Sequence, residues 1–318
     1  MTRKLVVLQS ITSEQEAQIR QLVPDWELVH GKEREVWLPH LADAEIVAGW
    51  SSAIVEPCLR PGTKLRWVQN WGAGVDVIPL EAIADAGVML TTASGVHPNP
   101  ISETVLGMML GLTRNIHRSV AHQLKRRWES KGPLGEMHGK TVGILGVGAI
   151  GTEVAKLCKA FGMTVLGVKR TPSSSAYADR MVTMEGLDEV LQESDYIVVT
   201  LPLTKETKHV IGRSQFERMK PTAYYINIGR GGTTDEQALI EALRSGRIAG
   251  AGLDVFEVEP LPETSPLWEM DNVILTPHNS GSTVYYNDRA MDIFLRNLSD
   301  YAAGREPQLN RVDLNRQY

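Results

Sequence analysis

The feature that most restricts the fold is the hexapeptide Gly146-Val147-Gly148-Ala149-Ile150-Gly151 and what flanks it. It follows Thr141–Leu145, a short apolar and β-branched run, and it opens Ile150–Phe161, whose apolar residues recur at helical spacing until Gly162 stops them. In a strand–turn–helix setting each glycine has its own task. The first permits the tight turn, the second lets the backbone approach a pyrophosphate, and the third lets helix pack closely on strand. Phosphate then meets free N–H groups at the positive end of a helix. Gly146, Gly148, Ala149, Ile150 and Gly151 are therefore candidate contacts to a dinucleotide. A glycine-rich packing turn without ligand is the alternative, and the βαβ setting weighs against it.

The rest of the chain alternates in the same way. Short β-rich runs at Leu5–Gln9, Glu27–His30, Glu45–Gly49, Trp67–Trp71 and Val88–Thr92 are separated by helical patterns such as Glu14–Val23 and Pro79–Ala86. Beyond Gly162, strands are expected at Thr164–Val168, Tyr196–Thr200, Ala223–Ile228, Gly250–Asp254 and Val273–Leu275, with helices at Gly186–Gln192, Asp235–Ser245 and Val284–Ala303. Such alternation implies an α/β chain with parallel sheets covered on both faces. At roughly 150 residues per domain, 318 residues make two domains. Pro98, Asn99 and Pro100 interrupt the pattern before a long helix from Ile101 that carries Val105, Leu106, Met108, Met109 and Leu112, so the first boundary is expected near Pro98. Met108 and Met109 read as core or interface. Ser173–Ser175 reads as a loop.

Composition excludes several function classes. A net charge of −5 with 22% charged residues offers no concentrated basic surface for nucleic acid or anionic membrane. Cys58 and Cys158 form neither a disulfide framework nor a metal-ligand set. Met1-Thr2-Arg3-Lys4 is followed by only Leu5–Leu8 as an apolar run, too short for a signal-peptide core, and no run approaches a spanning helix. A soluble, cytoplasmic protein is expected.

Side chains at strand ends suggest the chemistry. The second strand of the fingerprint unit closes on Val168-Lys169-Arg170-Thr171, without the acid that would bond the ribose 2′-OH of NAD. Lys169, Arg170 and Thr171 instead suit a 2′-phosphate, which favours NADP over NAD; an exposed basic turn in a loose NAD site is the alternative. Arg230, Glu259 and His278 lie in segments just past expected strand ends, where ligands of open α/β sheets bind. Singly, each has an ordinary explanation as a surface or loop residue. Together they suit a small carboxylated carbonyl compound: Arg clamps the acid, His gives the proton, and Glu holds the imidazole tautomer and favours its charged form. His97, His117, His122 and His138 have no partners at sequence spacing and read as surface or loop residues.

The sequence resembles the D-isomer-specific 2-hydroxyacid dehydrogenases over nearly its full length. The likeness rests on Gly72-Ala73-Gly74-Val75-Asp76, Ile101-Ser102-Glu103, Gly146–Gly151, Leu201-Pro202-Leu203-Thr204 and the Arg230, Glu259 and His278 segments, in the family's order. The resemblance implies a Rossmann dinucleotide-binding domain over 98–285 and a flavodoxin-like substrate domain built from 1–97 and 286–318. It also implies a homodimer formed mainly through the cofactor lobes. By the same likeness Pro202, Thr207, Ile228, Gly229, Arg230, Asp254, His278 and Ser280 join the cofactor site, while Ala73, Gly74, Arg230 and His278 hold a 2-keto acid. Trp67 is expected to pack, and Trp71 either packs or walls the substrate pocket. Glu at 259 differs from the Gln of the formate-oxidising branch, and Ser94–Pro100 is similar to branches acting on glyoxylate and hydroxypyruvate. Two alternatives remain. One is a phosphoglycerate dehydrogenase without a regulatory domain; the other is a dinucleotide-sensing binding protein akin to the family's co-repressors.

Overall fold

The computed structural model describes residues 3–60, 62–130, 132–171 and 174–314. Met1 and Thr2 of the amino-terminal reading, Ser173 of the loop reading and the tail beyond 314 lie outside the described residues. The chain divides into two units, Met1–Val96 with Thr283–Tyr318, and His97–Ser282.

In the first unit Lys4–Val7 (β1), Glu27–His30 (β2), Ile46–Ala48 (β3), Trp67–Gln69 (β4) and Met89–Thr91 (β5) form one parallel sheet ordered β2-β1-β3-β4-β5. This is the flavodoxin-like strand order. Because side chains alternate across a strand, Val6, Val47, Val68 and Leu90 join one core layer, while Leu5, Val7, Ile46 and Trp67 join the other. Strands apolar at both parities need cover on both faces. The second layer is closed by helix Ser13–Leu22 through Ile19 and by helix Tyr286–Ala302 through Ala290, Met291, Phe294 and Leu298. Trp67 stacks on Phe294 with ring centroids 5.5 Å apart and donates Nε1–H to Thr91 Oγ1 at 2.8 Å. Trp71 packs on the same ring at 6.1 Å and donates to Asn287 Oδ1 at 3.2 Å.

In the second unit Thr141–Leu145 (β6), Thr164–Val168 (β7), Arg180–Val182 (β8), Tyr196–Val199 (β9), Tyr224–Asn227 (β10), Gly250–Leu253 (β11) and Val273–Leu275 (β12) form a parallel sheet ordered β12-β11-β10-β9-β6-β7-β8. The chain runs outward from β6 to β8, then returns to β9 on the other side of β6. Such doubly wound sheets bind ligands outside the carboxyl ends of the strands at the reversal, and the glycine hexapeptide begins there. Helix Pro98–Thr113 covers one face. Met108 and Met109 are core, and a side chain at Gly252 would come within 2.9 Å of Met108 Cβ, so the glycine makes the room.

Several local readings change. The long helix starts at Pro98 rather than Ile101, because prolines in a first turn lack only N–H groups that have no intrahelical acceptor. It ends at Thr113, and Asn115, left-handed at φ 52°, redirects the chain into a separate helix, Ile116–Leu124. Strand β8 and helix Arg213–Arg218 are too short to show a period in sequence. His117 is no loop residue: its Nδ1 and Nε2 lie 2.8 and 2.9 Å from the carbonyls of Gly111 and Asp271. Cys58 and Cys158 are free and buried, and burial pushes their thiols up to about 11 and about 12. No described helix is long and apolar enough to cross a membrane.

If helix Tyr286–Ala302 closes the first sheet, Phe294→Ala lowers the unfolding free energy by about 3–5 kcal/mol, measured by urea denaturation. A loss below about 1 kcal/mol would place that closure elsewhere.

Candidate active site

At the end of β6 the three glycines separate by physical role. Gly146 has φ +101°, and a side chain there would meet Thr200 Oγ1 at 2.9 Å. The Thr200 hydroxyl donates to Gly146 O at 2.5 Å, pinning the turn against the end of β9. Gly151 cannot carry a side chain, because its Cβ would lie 2.4 Å from Gly146 O; helix Ala149–Ala160 therefore packs directly on the turn. Gly148 has open space where its Cβ would be. Gly148 N–H donates to Gly146 O at 2.9 Å and so closes the turn, whereas the first-turn N–H groups of Ala149 and Ile150 have no intrahelical acceptor and present a bare backbone suited to a pyrophosphate. The residues thus fit a dinucleotide.

Lys169, Arg170 and Thr171 follow β7 and are exposed. The Glu206 carboxyl is held below its usual range by the Thr204 hydroxyl, which donates to it at 2.7 Å, with Arg170 among the further charges acting on it. Thr204 and Glu206 belong to the segment Leu201–Thr207. Within that segment Thr207 donates to Pro202 O at 2.6 Å and accepts from Thr204 N at 2.7 Å. Pro202 and Thr207 share one turn.

The loop after β10 lies against this turn. A side chain at Gly229 would come within 2.5 Å of Leu201 O, and one at Gly231 within 1.9 Å of Phe256. Ile228 is buried beside them. Asn227, fully buried, accepts from Gly229 N at 3.0 Å and donates to Thr234 Oγ1 at 3.0 Å and Arg230 O at 3.3 Å. Arg230 donates from one guanidinium nitrogen to Gly229 O at 2.9 Å. Sequence reasoning did not identify Asn227, although its place at the end of a buried strand is the kind of signal that marks a loop-holding amide.

The loops after β11 and β12 are joined by one carboxylate. Asp254, fully buried, accepts from Thr276 Oγ1 at 2.6 Å, from Asn279 N at 3.0 Å, from Ser280 N at 3.1 Å and from the Ser280 hydroxyl. These bonds fix the turn in which His278 takes φ +50°, a left-handed backbone unusual for a non-glycine residue. Glu259 accepts from Phe256 N at 3.0 Å through one oxygen, and its other oxygen lies 2.7 Å from His278 Nδ1. With Nδ1 engaged, Nε2 is the nitrogen left to serve a ligand. A cavity of about 640 Å³ opens beside this pair, walled mainly by Phe256, Pro260, Leu261, Trp268 and Leu275.

Arg230, Glu259 and His278 therefore belong to loops at the carboxyl ends of β10, β11 and β12, which are neighbours in the sheet. Ala73 and Gly74 belong to the first unit, in the turn after β4, where Asn70 Nδ2 donates to Gly74 O at 2.8 Å. Among the described residues no group of His, Cys, Asp and Glu suits a metal ion. If Asp254 holds the His278 turn, Asp254→Ala frees the amides of Asn279 and Ser280, and their hydrogen exchange should quicken by about 30-fold, the equivalent of about 2 kcal/mol. Unchanged exchange would assign the turn to other contacts.

Comparison with known proteins identifies the family. Residues 106–280 match the family described as D-isomer specific 2-hydroxyacid dehydrogenase, NAD binding domain. A D-3-phosphoglycerate dehydrogenase of Methanocaldococcus jannaschii is 37% identical over 264 residues, 82% of this chain, but the match spans only 50% of that longer protein. A glyoxylate/hydroxypyruvate reductase B of Pectobacterium atrosepticum is 40% identical over 252 residues, 77% of this chain and 78% of the relative. A solved D-isomer specific 2-hydroxyacid dehydrogenase from Xanthobacter autotrophicus Py2, in complex with NADPH and MES, is 32% identical and superposes with a TM-score of 0.81 over all of both chains. On the family match and these identities, the chain belongs to the D-isomer specific 2-hydroxyacid dehydrogenases, a family of NAD(P)-dependent oxidoreductases.

Proposed function

We propose that this chain is a cytoplasmic reductase that converts a small 2-keto acid, glyoxylate or hydroxypyruvate, into the D-2-hydroxy acid with NADPH as the preferred cofactor. The observation that carries the reading is the His278 Nδ1 to Glu259 contact of 2.7 Å in the unit that also holds the glycine fingerprint. When bound, the dinucleotide supplies the hydride. Gly146, Gly148, Ala149, Ile150 and Gly151 hold its pyrophosphate, and Lys169, Arg170 and Thr171 hold the 2′-phosphate, since no acid follows β7. Pro202, Thr207, Ile228, Gly229, Asp254 and Ser280 complete that site. Arg230 takes the substrate carboxylate through its planar fork, helped by the backbone at Ala73 and Gly74. His278 donates a proton from Nε2 to the carbonyl oxygen as it becomes an alkoxide, and Glu259 stabilises the ring that carries this proton. The glyoxylate or hydroxypyruvate choice follows the relative at 40% identity and the segment Ser94–Pro100.

The chain is also proposed to pair with a second copy through its second unit. Helix Ile116–Leu124 has no buried residue, and Ile116, Val120 and Leu124 form an exposed apolar stripe that continues to Trp128, which is fully exposed. Leu124→Asp should convert a dimer to a monomer by light scattering; a monomeric parent protein contradicts this reading.

Function is tested by steady-state oxidation of NADPH and NADH with glyoxylate, hydroxypyruvate and pyruvate, and by reduction of NADP and NAD with 3-phosphoglycerate. Turnover with NADPH is expected to fall by about 10³-fold or more in His278→Ala. Because reduction needs His278 charged and oxidation needs it neutral, the reductive rate should decline as pH rises while the oxidative rate increases. Identical pH profiles would remove His278 from the acid–base role. Turnover of 3-phosphoglycerate in place of the keto acids would make the phosphoglycerate dehydrogenase reading the right one. Tight dinucleotide binding without turnover would favour the sensor.

A further inference from the structure

The turn after β4 is built around a line of buried amides. Asn70 directly follows β4 and is 7% exposed, and its side-chain amide spans the turn: Oδ1 accepts from Gly72 N at 3.3 Å and Nδ2 donates to Gly74 O at 2.8 Å. The two bonds have opposite polarity, so a flipped amide would set donor against donor and acceptor against acceptor. Asn70 N donates to Thr91 O at 2.7 Å and Gly72 O accepts from Ala93 N at 2.9 Å, which ties the turn to the end of β5 and the residues after it. Gln69, fully buried at the end of β4, donates from Nε2 to Asn70 O at 3.0 Å, while its Oε1 accepts from Thr91 Oγ1 at 2.8 Å and from Asn297 Nδ2 at 3.2 Å. Asn297, also fully buried, belongs to helix Tyr286–Ala302 and bonds both the carbonyl of Leu309 at 2.9 Å and its N–H at 3.1 Å. The start of the same helix grips the turn as well, because the Tyr286 hydroxyl donates to Trp71 O at 2.9 Å. A buried polar line satisfied in this way is rigid. By contrast, among the described residues the N–H groups of Ala73 and Gly74 donate to no protein atom. Two free donors on a backbone that is ordered in advance are suited to an anion.

We propose that Asn70 is a positioning residue: its amide, backed by Gln69 and Asn297, holds the Gly72–Gly74 turn in the shape that presents the Ala73 and Gly74 N–H groups to a substrate carboxylate. This rests on the reading of Ala73 and Gly74 as carboxylate ligands. Both the oxygen and the nitrogen of the Asn70 amide are engaged by the turn itself, so the residue acts through that backbone and not on the substrate.

The test compares Asn70→Ala and Asn70→Asp with the parent enzyme. Loss of the amide should raise KM for glyoxylate about tenfold, leave kcat within about threefold and leave NADPH affinity by fluorescence titration unchanged. The carboxylate introduced by Asn70→Asp still accepts from Gly72 N but faces Gly74 O without a proton to give, so near neutral pH its KM rise should exceed that of Asn70→Ala. On acidification it gains that proton, and its KM relative to the parent at the same pH should fall, a recovery that general damage to the fold would not show. An unchanged KM in both variants overturns the proposal. A parallel loss of kcat, NADPH affinity and thermal midpoint also overturns it, because a purely structural role predicts that pattern. Should the variants fail to fold, nitrogen-15 NMR of the parent NADPH complex reads the turn without substitution: oxalate should shift the Ala73 and Gly74 amide signals while the Asn70 side-chain N–H stays protected from exchange. A freely exchanging Asn70 amide refutes the positioning role, and unshifted Ala73 and Gly74 signals refute the carboxylate reading beneath it. Should the parent protein reduce no keto acid, the functional reading fails first. Calorimetric binding of oxalate to the NADPH complex then decides separately: weaker binding in Asn70→Ala supports the positioning role, and equal binding refutes it.

Discussion

The candidate site depends on one buried carboxylate. Asp254 directly follows β11 without exposure to solvent, and a carboxylate in that position is tolerable only because hydroxyl and amide donors surround it. All those donors come from the segment Thr276–Ser280. Asp254 thereby binds the loop after β12 to the end of β11, and the left-handed backbone of His278 is one result. Glu259 reaches the same imidazole from the other loop while its second oxygen holds Phe256 N, two positions past Asp254. Hub, acid and imidazole thus close on one another within two adjacent strand ends.

The sheet order does the rest. Strands β10, β11 and β12 are consecutive neighbours, so residues far apart in sequence, Arg230, Glu259 and His278, come from adjacent edges of one surface. The glycine turn lies on the same edge at β6, with β9 between. Contacts across β9 join the two regions: Thr200 holds the Gly146 turn, and Leu201 lies against the backbone of Gly229. A bound dinucleotide and the Arg230 loop are therefore referred to a common, close-packed piece of backbone.

What could be read in the sequence was whatever depends on local pattern. The fingerprint was legible because each of its glycines answers a backbone requirement, and Gly146 and Gly151 meet those requirements as expected. Alternation of strands and helices was legible because strands buried on both faces are apolar at both parities, as Leu5, Val6 and Val7 are. The start of helix Pro98–Thr113 was not, because proline reads as a breaker until its place in the first turn is known. The contribution of Asp254 was assigned only by likeness, since its partners lie more than twenty positions away. His97 and His117 looked unremarkable for the same reason: Gly281 and Asp271 become their neighbours only through the fold.

The central claim, that the Asp254-held turn fixes the His278 ring with Nδ1 facing Glu259, is tested most directly by nitrogen-15 NMR of the imidazole. The account predicts that His278 Nδ1 carries a proton protected by the carboxylate in the parent protein, leaving Nε2 as the exchanging site, and that this protection is lost in Glu259→Ala. A His278 ring with its proton on Nε2 alone and Nδ1 bare, or one averaged between tautomers in the parent protein, would contradict it.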